Sequence, residues 1–302
     1  TERALELPGV RAVLSGKDIR YGTFGRRVRD MPVLARDEVR VVGERVAAVA
    51  AETPELALEA AARVEVEYEP RPAVLDPEQA LLPDAPRVHE APWEYPNAVC
   101  RPDDPPNVQS RVVWSSGDVE EVLARSARVF EHTFRTQSHH QGYLEPHACV
   151  ARVGELIEVW ASNKSPQPLR AQLAACLGAP VERIRVYPVL VGGDFGGKGS
   201  PLDIPVCIAL AEATGRPVRL RLRYAEELMA TNPRHPTVIR VRLGVDAQGR
   251  FTALDVRAVA DGGAYAAFKP TPNIQLPGLE EAGHCYRLQA VRIESIITYT
   301  NT

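Results

Sequence analysis

The sequence predicts an α+β chain of two folded domains in succession, and three observations lead there. A length of 302 residues, with 45% hydrophobic and 25% charged, is enough for about two cores. Alternating strand patterns and capped helices appear in both halves of the chain. Between them prolines crowd at Pro77, Pro83, Pro86, Pro92, Pro96, Pro102, Pro105 and Pro106, and periodicity disappears. The expected division is a first domain over residues 1–75, a Pro-rich linker over 76–110 and a second domain over 111–302.

Thr1 to Leu5 reads as the tail of a helix already under way, with no basic and apolar signal-peptide pattern. Val10 to Leu14 alternates as a strand, and Arg40 to Gly43 followed by Val46 to Ala50 reads as strand, tight turn and strand. Thr53-Pro54-Glu55 opens a helix to Arg63, with Thr at the N-cap and Pro at the first helical position. Val64, Val66 and Tyr68 alternate with Glu65, Glu67 and Glu69 as a half-buried strand.

In the second domain Ser116-Gly117-Asp118 caps a helix through Arg128. Strands follow over 129–136, 147–153 and 156–161. Ser165-Pro166 starts a helix to Leu177-Gly178, residues 184–188 form a strand, and 202–214 form an apolar helix stopped by Gly215. Strands at 218–222, 238–243 and 251–260 complete the pattern, with Asp246 to Gly249 as a hairpin turn.

The charge balance excludes some function classes. With 36 Lys plus Arg against 39 Asp plus Glu, a net charge of -3 and 6% aromatics, the chain shows no basic, aromatic-rich surface for nucleic acid. No stretch is apolar and long enough to span a bilayer. The five cysteines are odd in number, widely spaced and without a C-x-x-C pair, so neither a disulfide framework nor a metal cage is indicated, and a reducing cytoplasm is expected. Only four of the basic residues are Lys (Lys17, Lys164, Lys198, Lys269).

The densest glycine signal is Val191-Gly192-Gly193-Asp194-Phe195-Gly196-Gly197-Lys198-Gly199-Ser200, between a strand and a helix. A phosphate-binding P-loop has a hydroxyl residue directly after the Lys, and Gly199 stands there instead. The dinucleotide-binding glycine spacing also fails. What remains is a strained turn without a ligand, or backbone made free to approach one. Phe195 between two glycine pairs favours the ligand.

The stretch Gln137 to His147 holds His139, His140 and His147. Gly142 and Pro146 break the helix that a zinc-binding i, i+4 pair needs, so packed or solvated histidines outweigh direct metal ligation. Glu145, before Pro146, is a candidate buried carboxylate for orienting a neighbouring loop. Lys164, after a strand and before a helix start, reads equally as an exposed Lys or as a cation at an anion-binding helix N-terminus.

In order along the chain, Pro8-Gly9-Val10, Pro32-Val33-Leu34-Ala35, Val42-Gly43-Glu44-Arg45-Val46-Ala47-Ala48-Val49, Tyr143-Leu144-Glu145-Pro146-His147, Trp160-Ala161-Ser162, Gly192 to Lys198, Thr214-Gly215-Arg216-Pro217-Val218, Arg234-His235-Pro236 and Asp261-Gly262-Gly263-Ala264-Tyr265 resemble the molybdopterin-binding large subunit of the xanthine dehydrogenase, aldehyde oxidase and carbon monoxide dehydrogenase family. The resemblance covers nearly the whole chain and implies an α/β-hammerhead domain followed by the first molybdenum-cofactor-binding α+β domain.

It further implies cofactor-binding roles for Gly192, Gly193, Asp194, Phe195, Gly196 and Gly197, and for Lys164 where relatives carry a Gln. Gly199 falls at a substrate-pocket position that is acidic in purine-oxidising members. The implied cofactor is molybdenum-molybdopterin, its cytosine dinucleotide form left open, with iron–sulfur and FAD groups on partner chains and no direct protein ligand to the metal. The implied partners are a second molybdopterin-binding half, an iron–sulfur subunit, a flavin subunit and a small-molecule substrate. The general-base Glu is expected beyond Thr302. The expected activity is hydroxylation of an aldehyde or N-heterocycle with oxygen from water, by a fragment or subunit inactive alone. The alternative is a non-catalytic assembly module or decayed relative that retains the fold.

Overall fold

Thr53 accepts a hydrogen bond from Leu56 N–H at 3.2 Å, and Asp118 accepts one from Glu121 N–H at 3.0 Å, so both helix starts anticipated from capping residues form. Gly178 and Gly215 adopt φ of 62° and 63° and end their helices in the left-handed conformation that glycine takes without strain. The computed structural model describes residues 1–269 and 278–302.

In chain order the first regular elements are α1 (Glu2–Leu5), β1 (Val10–Ser15), β2 (Ala47–Ala51), α2 (Pro54–Ala62), β3 (Val108–Ser116), α3 (Val119–Arg125), β4 (Arg128–Arg135), β5 (Ala148–Val153) and β6 (Ile157–Ala161). They are followed by α4 (Pro166–Leu177), β7 (Ile184–Tyr187), α5 (Ile204–Thr214), β8 (Val218–Arg221), α6 (Tyr224–Ala230), β9 (Thr237–Val245), β10 (Phe251–Asp261) and β11 (Ala290–Thr298).

Two compact units are made from interleaved segments. The first takes Thr1–Arg71 and His140–Pro233, with a short piece that begins at Ala267. The second takes Pro72–His139, Arg234–Ala266 and the stretch that runs to Thr302.

The first unit holds the antiparallel pair β1-β2 and a four-stranded sheet in the order β7-β6-β5-β8. Its core joins Ala151, Ile157, Val159 and Ile184 on the sheet to Leu169 and Leu173 on α4 and to Cys207, Ile208 and Ala211 on α5. The first eight residues of α5, Ile204 to Ala211, are all buried, which is why that stretch is apolar on every face. The parallel pair β6-β7 is connected through α4, a crossover that parallel strands require.

The second unit holds a five-stranded sheet in the order β3-β11-β10-β9-β4, antiparallel except for β10 against β11. α3 packs its Val119, Val122 and Leu123 onto Ala253 and Ala290 of this sheet. Residues 76–110 belong to this unit and form turns and two short 3-10 helices that lead into β3. Asn107 donates from Nδ2 to the carbonyls of Ala80 (3.1 Å) and Pro86 (2.9 Å), and accepts from Val88 N–H at 2.8 Å.

Two strand expectations fail. Residues 40–43 form a turn, because Glu44 folds back to accept from Arg40 N–H at 2.7 Å and Gly43 takes φ of 89°. Residues 64–70 pair with no strand among the described residues, all but half-buried Val64 are exposed, and Glu65 instead ion-pairs with Arg3. Alternation marks a possible face, and a strand also needs a neighbour. The elements β3, α6 and β11 are additions to the sequence reading.

Candidate cofactor-binding site

The sheet register of the first unit gathers four connections on one edge. β6 and β7 run parallel, so the Ser162–Ser165 turn after β6 and the Val189–Ser200 loop after β7 leave from the same side. β5 is antiparallel to β6, with Cys149 opposite Ala161, which brings the Tyr143–His147 segment to that edge. β8 is antiparallel to β5, with Arg221 opposite Ala148, so α6 starts there as well. The C-terminal ends of parallel strands are where open sheets most often bind ligands.

At this edge the glycine loop is tied by its carboxylate. Asp194 accepts from Lys164 Nζ at 2.9 Å, from Gly196 N–H at 2.7 Å and from Lys198 N–H at 2.6 Å. Burial pushes the Asp194 carboxyl up, but these donors outweigh it and hold the group below its ordinary value. Lys164 thus stands within the loop's own hydrogen-bond network, and its N–H donates to the Lys198 carbonyl at 3.0 Å.

Lys198 turns the other way. Its side chain is fully buried, with Nζ 2.6 Å from Glu145 and 4.7 Å from the centre of the Tyr143 ring. Glu145 also accepts from Gly192 N–H at 2.9 Å, the loop-orienting contact its position suggested, although its side chain is half-buried and not buried as expected. Burial raises the Glu145 carboxyl, and the Lys198 ammonium and Gly192 N–H more than offset that, leaving it below its usual range.

Beneath the loop lies a buried network on Glu227, whose side chain has no exposed surface. It accepts from the Tyr143 hydroxyl at 2.5 Å, from His147 N–H at 2.6 Å and from His147 Nδ1 at 2.7 Å. Burial alone would raise this carboxyl, but the His147 ring, the Tyr143 hydroxyl and the His147 N–H together bring it down to about 2. Burial drives the Tyr143 phenol well above its ordinary value, and Glu227 adds to that. His140 stands 4.0 Å from Glu227, and its desolvation outweighs the pull of that carboxylate to lower its pKa. His139 lies in the second unit, in a backbone bridge to Arg234. Among the described residues no group of three or more His, Cys, Asp or Glu is arranged to hold a metal ion.

The glycines carry the loop through this crowd. A Cβ at position 192 would lie 2.7 Å from Glu145 Cβ, and one at 197 would lie 2.7 Å from Tyr143 Cε1. Gly193, Phe195 and Gly196 have φ of 99°, 42° and 97°, a curl that turns the outer side of the loop outward. Phe195 is 64% exposed in a conformation disfavoured for a bulky residue, a strain that the ties on Asp194 hold in place.

The outer side of this loop suits an anionic, many-oxygen cofactor. The N–H groups of Gly193 and Asp194 have no hydrogen-bond partner among the described residues, and nothing lies within 4 Å of a Cβ built at Gly196. Leu144 and Leu190 flank the loop at 91% and 97% exposure, apolar surface of the kind that marks a binding region.

Residues 100–302 match the molybdopterin cofactor-binding domain, and residues 1–72 match the aldehyde oxidase and xanthine dehydrogenase a/b hammerhead domain. The chain belongs to the molybdopterin-binding xanthine dehydrogenase and aldehyde oxidase family. It is 36% identical over its whole length to a probable xanthine dehydrogenase subunit of Bacillus subtilis (strain 168), of which it covers 39%. It is 30% identical to the nicotinate dehydrogenase large molybdopterin subunit of Eubacterium barkeri, with 99% of this chain and 67% of that subunit covered. Among solved structures, reconstituted CO dehydrogenase from Oligotropha carboxidovorans superposes with a TM-score of 0.87 at 25% identity, over all of this chain and 39% of the other. The chain therefore spans about two fifths of the length of the first of these relatives. No helix among the described residues is long and apolar enough to cross a membrane.

Sequence reasoning missed Glu227 and Arg26. Glu227 sits on α6, whose start carries Arg223 where a capping residue is normally sought. The recoverable signal was Glu226, which accepts from Arg223 N–H at 2.7 Å as a third-position acid does at a helix start. Arg26, half-buried against Gly199, had no signal in its run of arginines.

Proposed function

We propose that this chain supplies one half of the molybdopterin cradle of a hydroxylating oxidoreductase that acts on an aldehyde or N-heterocycle. Gly192, Gly193, Asp194, Phe195, Gly196 and Gly197, with Lys164 behind them, hold the cofactor, and Gly199 lies on the substrate side. The observation that carries this reading is the glycine loop, fixed from behind by Lys164, Glu145 and Lys198 while Gly193 and Asp194 keep free N–H donors.

The bound cofactor would supply a redox-active metal that delivers water-derived oxygen to carbon and takes up two electrons. The chain's own residues do different work. The Asp194 ties hold the loop curled, so its donors need no reorganisation to meet an anionic ligand. Phe195 covers the cofactor with its ring and limits water access. Glu227 keeps His147 and Tyr143 in place under the loop.

The remaining parts of the enzyme belong to the same proposal: a hammerhead over residues 1–75, a connecting segment over 76–110, a cofactor domain over 111–302, and a second cofactor-binding half with the general-base Glu. Iron–sulfur and flavin partners in the cytoplasm would take the electrons. The test is turnover in ¹⁸O-labelled water by the complex that contains this chain, with a heteroaromatic or aldehyde substrate and an electron acceptor. Label in the product supports the reading. Product oxygen drawn from O₂ contradicts it.

A further inference from the structure

One cation beside the glycine loop has no part in holding that loop together. Arg26 sits on a turn in which its N–H donates to the Ala267 carbonyl at 2.7 Å, next to Phe24 and Val28, each 1% exposed. Its guanidinium is laid across the end of the glycine loop. A Cβ added at Gly199 would fall 2.9 Å from Arg26 Cζ, 2.9 Å from Nη1 and 3.2 Å from Nη2. Those three guanidinium atoms are near-equidistant from that point, so the plane lies flat over the glycine, and a Cβ there would push the guanidinium from this position.

The same guanidinium has no hydrogen bond or ion pair among the described residues. Asp194 attracts it at longer range, but that carboxylate is already taken by Lys164 and two backbone donors. A half-buried Arg normally satisfies its fork of donors with a carboxylate. The residue after Gly199 repeats the theme: Ser200 is 5% exposed and its hydroxyl has no partner among the described residues.

We propose that Arg26, seated on Gly199, is a specificity-determining residue that receives a carboxylate of the substrate by a charge-assisted, planar contact. The proposal rests on the cofactor-loop reading for its location. A glycine at 199 and an arginine over it make one device: the glycine gives space, and the arginine fills it with donors. The favoured substrate class is a heterocyclic or aldehyde acid, and the corresponding neutral amide is selected against, because it leaves the cation without a counter-charge.

The test is calorimetric binding of pyridine-3-carboxylate and pyridine-3-carboxamide to the complex containing this chain, with molybdenum and pterin content measured on each sample. Wild type should bind the acid about tenfold or more tightly than the amide, the scale of a hydrogen bond to a charged group. Arg26→Gln should bring the two ligands to within about twofold, and Arg26→Lys should retain part of the preference because it keeps charge without the fork. Equal binding of acid and amide by wild type, or a preference that survives Arg26→Gln, overturns the proposal. Loss of molybdenum and pterin in Arg26→Gln with an unchanged acid-to-amide ratio also overturns it, since the guanidinium would then hold the cofactor. An Arg26-dependent preference in samples that never contain molybdenum supports the carboxylate site and sinks the oxidoreductase reading instead.

Discussion

Glu227→Gln isolates the buried carboxylate under the loop. In the folded protein Glu227 titrates at about 2, against 4.5 for the free group, because burial is outweighed by the donors from His147 and Tyr143. A depressed folded-state value stabilises the protein above the unfolded pKa and loses that contribution as pH falls through the folded one. The difference corresponds to about 3 kcal/mol at neutral pH, of which roughly 2 kcal/mol is gone by pH 3. Glu145 and Asp194 are lowered as well, so the wild-type profile alone does not separate them. The stability gap between wild type and Glu227→Gln does, since the amide keeps the shape and cannot titrate. Of the three tryptophans, only Trp160 lies in the first unit, and it stacks on Tyr187 at 4.6 Å. Urea unfolding followed by Trp160 fluorescence, with Trp93 and Trp114 both replaced by Phe, therefore reports the unit that contains Glu227. The gap should narrow by about 2 kcal/mol between pH 6 and pH 3. A gap that stays constant over that range would refute the assignment of charge to this network.

The ion pair behind the loop should respond asymmetrically, because the Lys198 side chain is 0% and the Glu145 side chain 35% exposed. Glu145→Ala strands a buried ammonium and should cost about 3 kcal/mol, whereas Lys198→Met leaves a solvated carboxylate and should cost about 1 kcal/mol in urea unfolding. Gly197→Ala, with its new methyl 2.7 Å from the Tyr143 ring, should destabilise by about 1–3 kcal/mol, and Gly154→Ala, with nothing within 4 Å, should stay within about 0.5 kcal/mol of wild type. Phe195→Ala should lower cofactor retention in the complex far more than the melting temperature, because the ring is 64% exposed; equal losses of both would contradict a cofactor role.

The helices that can be read from sequence are those whose ends are set by local chemistry. Pro166 to Leu177 has Pro at its start and Gly178 at its stop, and these need no distant partner. Strands depend on neighbours, so the alternating run at 64–68 misled, while β3 and β11, which pair with each other far apart in sequence, gave no local mark. At the site, the glycine loop was legible because its composition is extreme. Its supports were less so: Lys164 meets Asp194 only because β6 and β7 lie side by side, and Glu227 reaches Tyr143 only because β8 flanks β5. Those pairings follow from sheet order. Arg26 shows the limit most clearly, since its meaning comes from Gly199, 173 positions further along the chain.

The central claim is that the loop from Gly192 to Lys198 holds a molybdenum-molybdopterin cofactor. Its most direct test is the molybdenum and pterin content of the purified complex that carries this chain, compared with the same complex bearing Gly193→Val. A side chain at 193 would meet Tyr143 Cβ at 2.9 Å and strain a backbone with φ of 99°, so the loop must move. Near-stoichiometric metal and pterin are expected in wild type, with a loss of most of both in the folded variant. No molybdenum in wild type, or full retention in Gly193→Val, would contradict the claim.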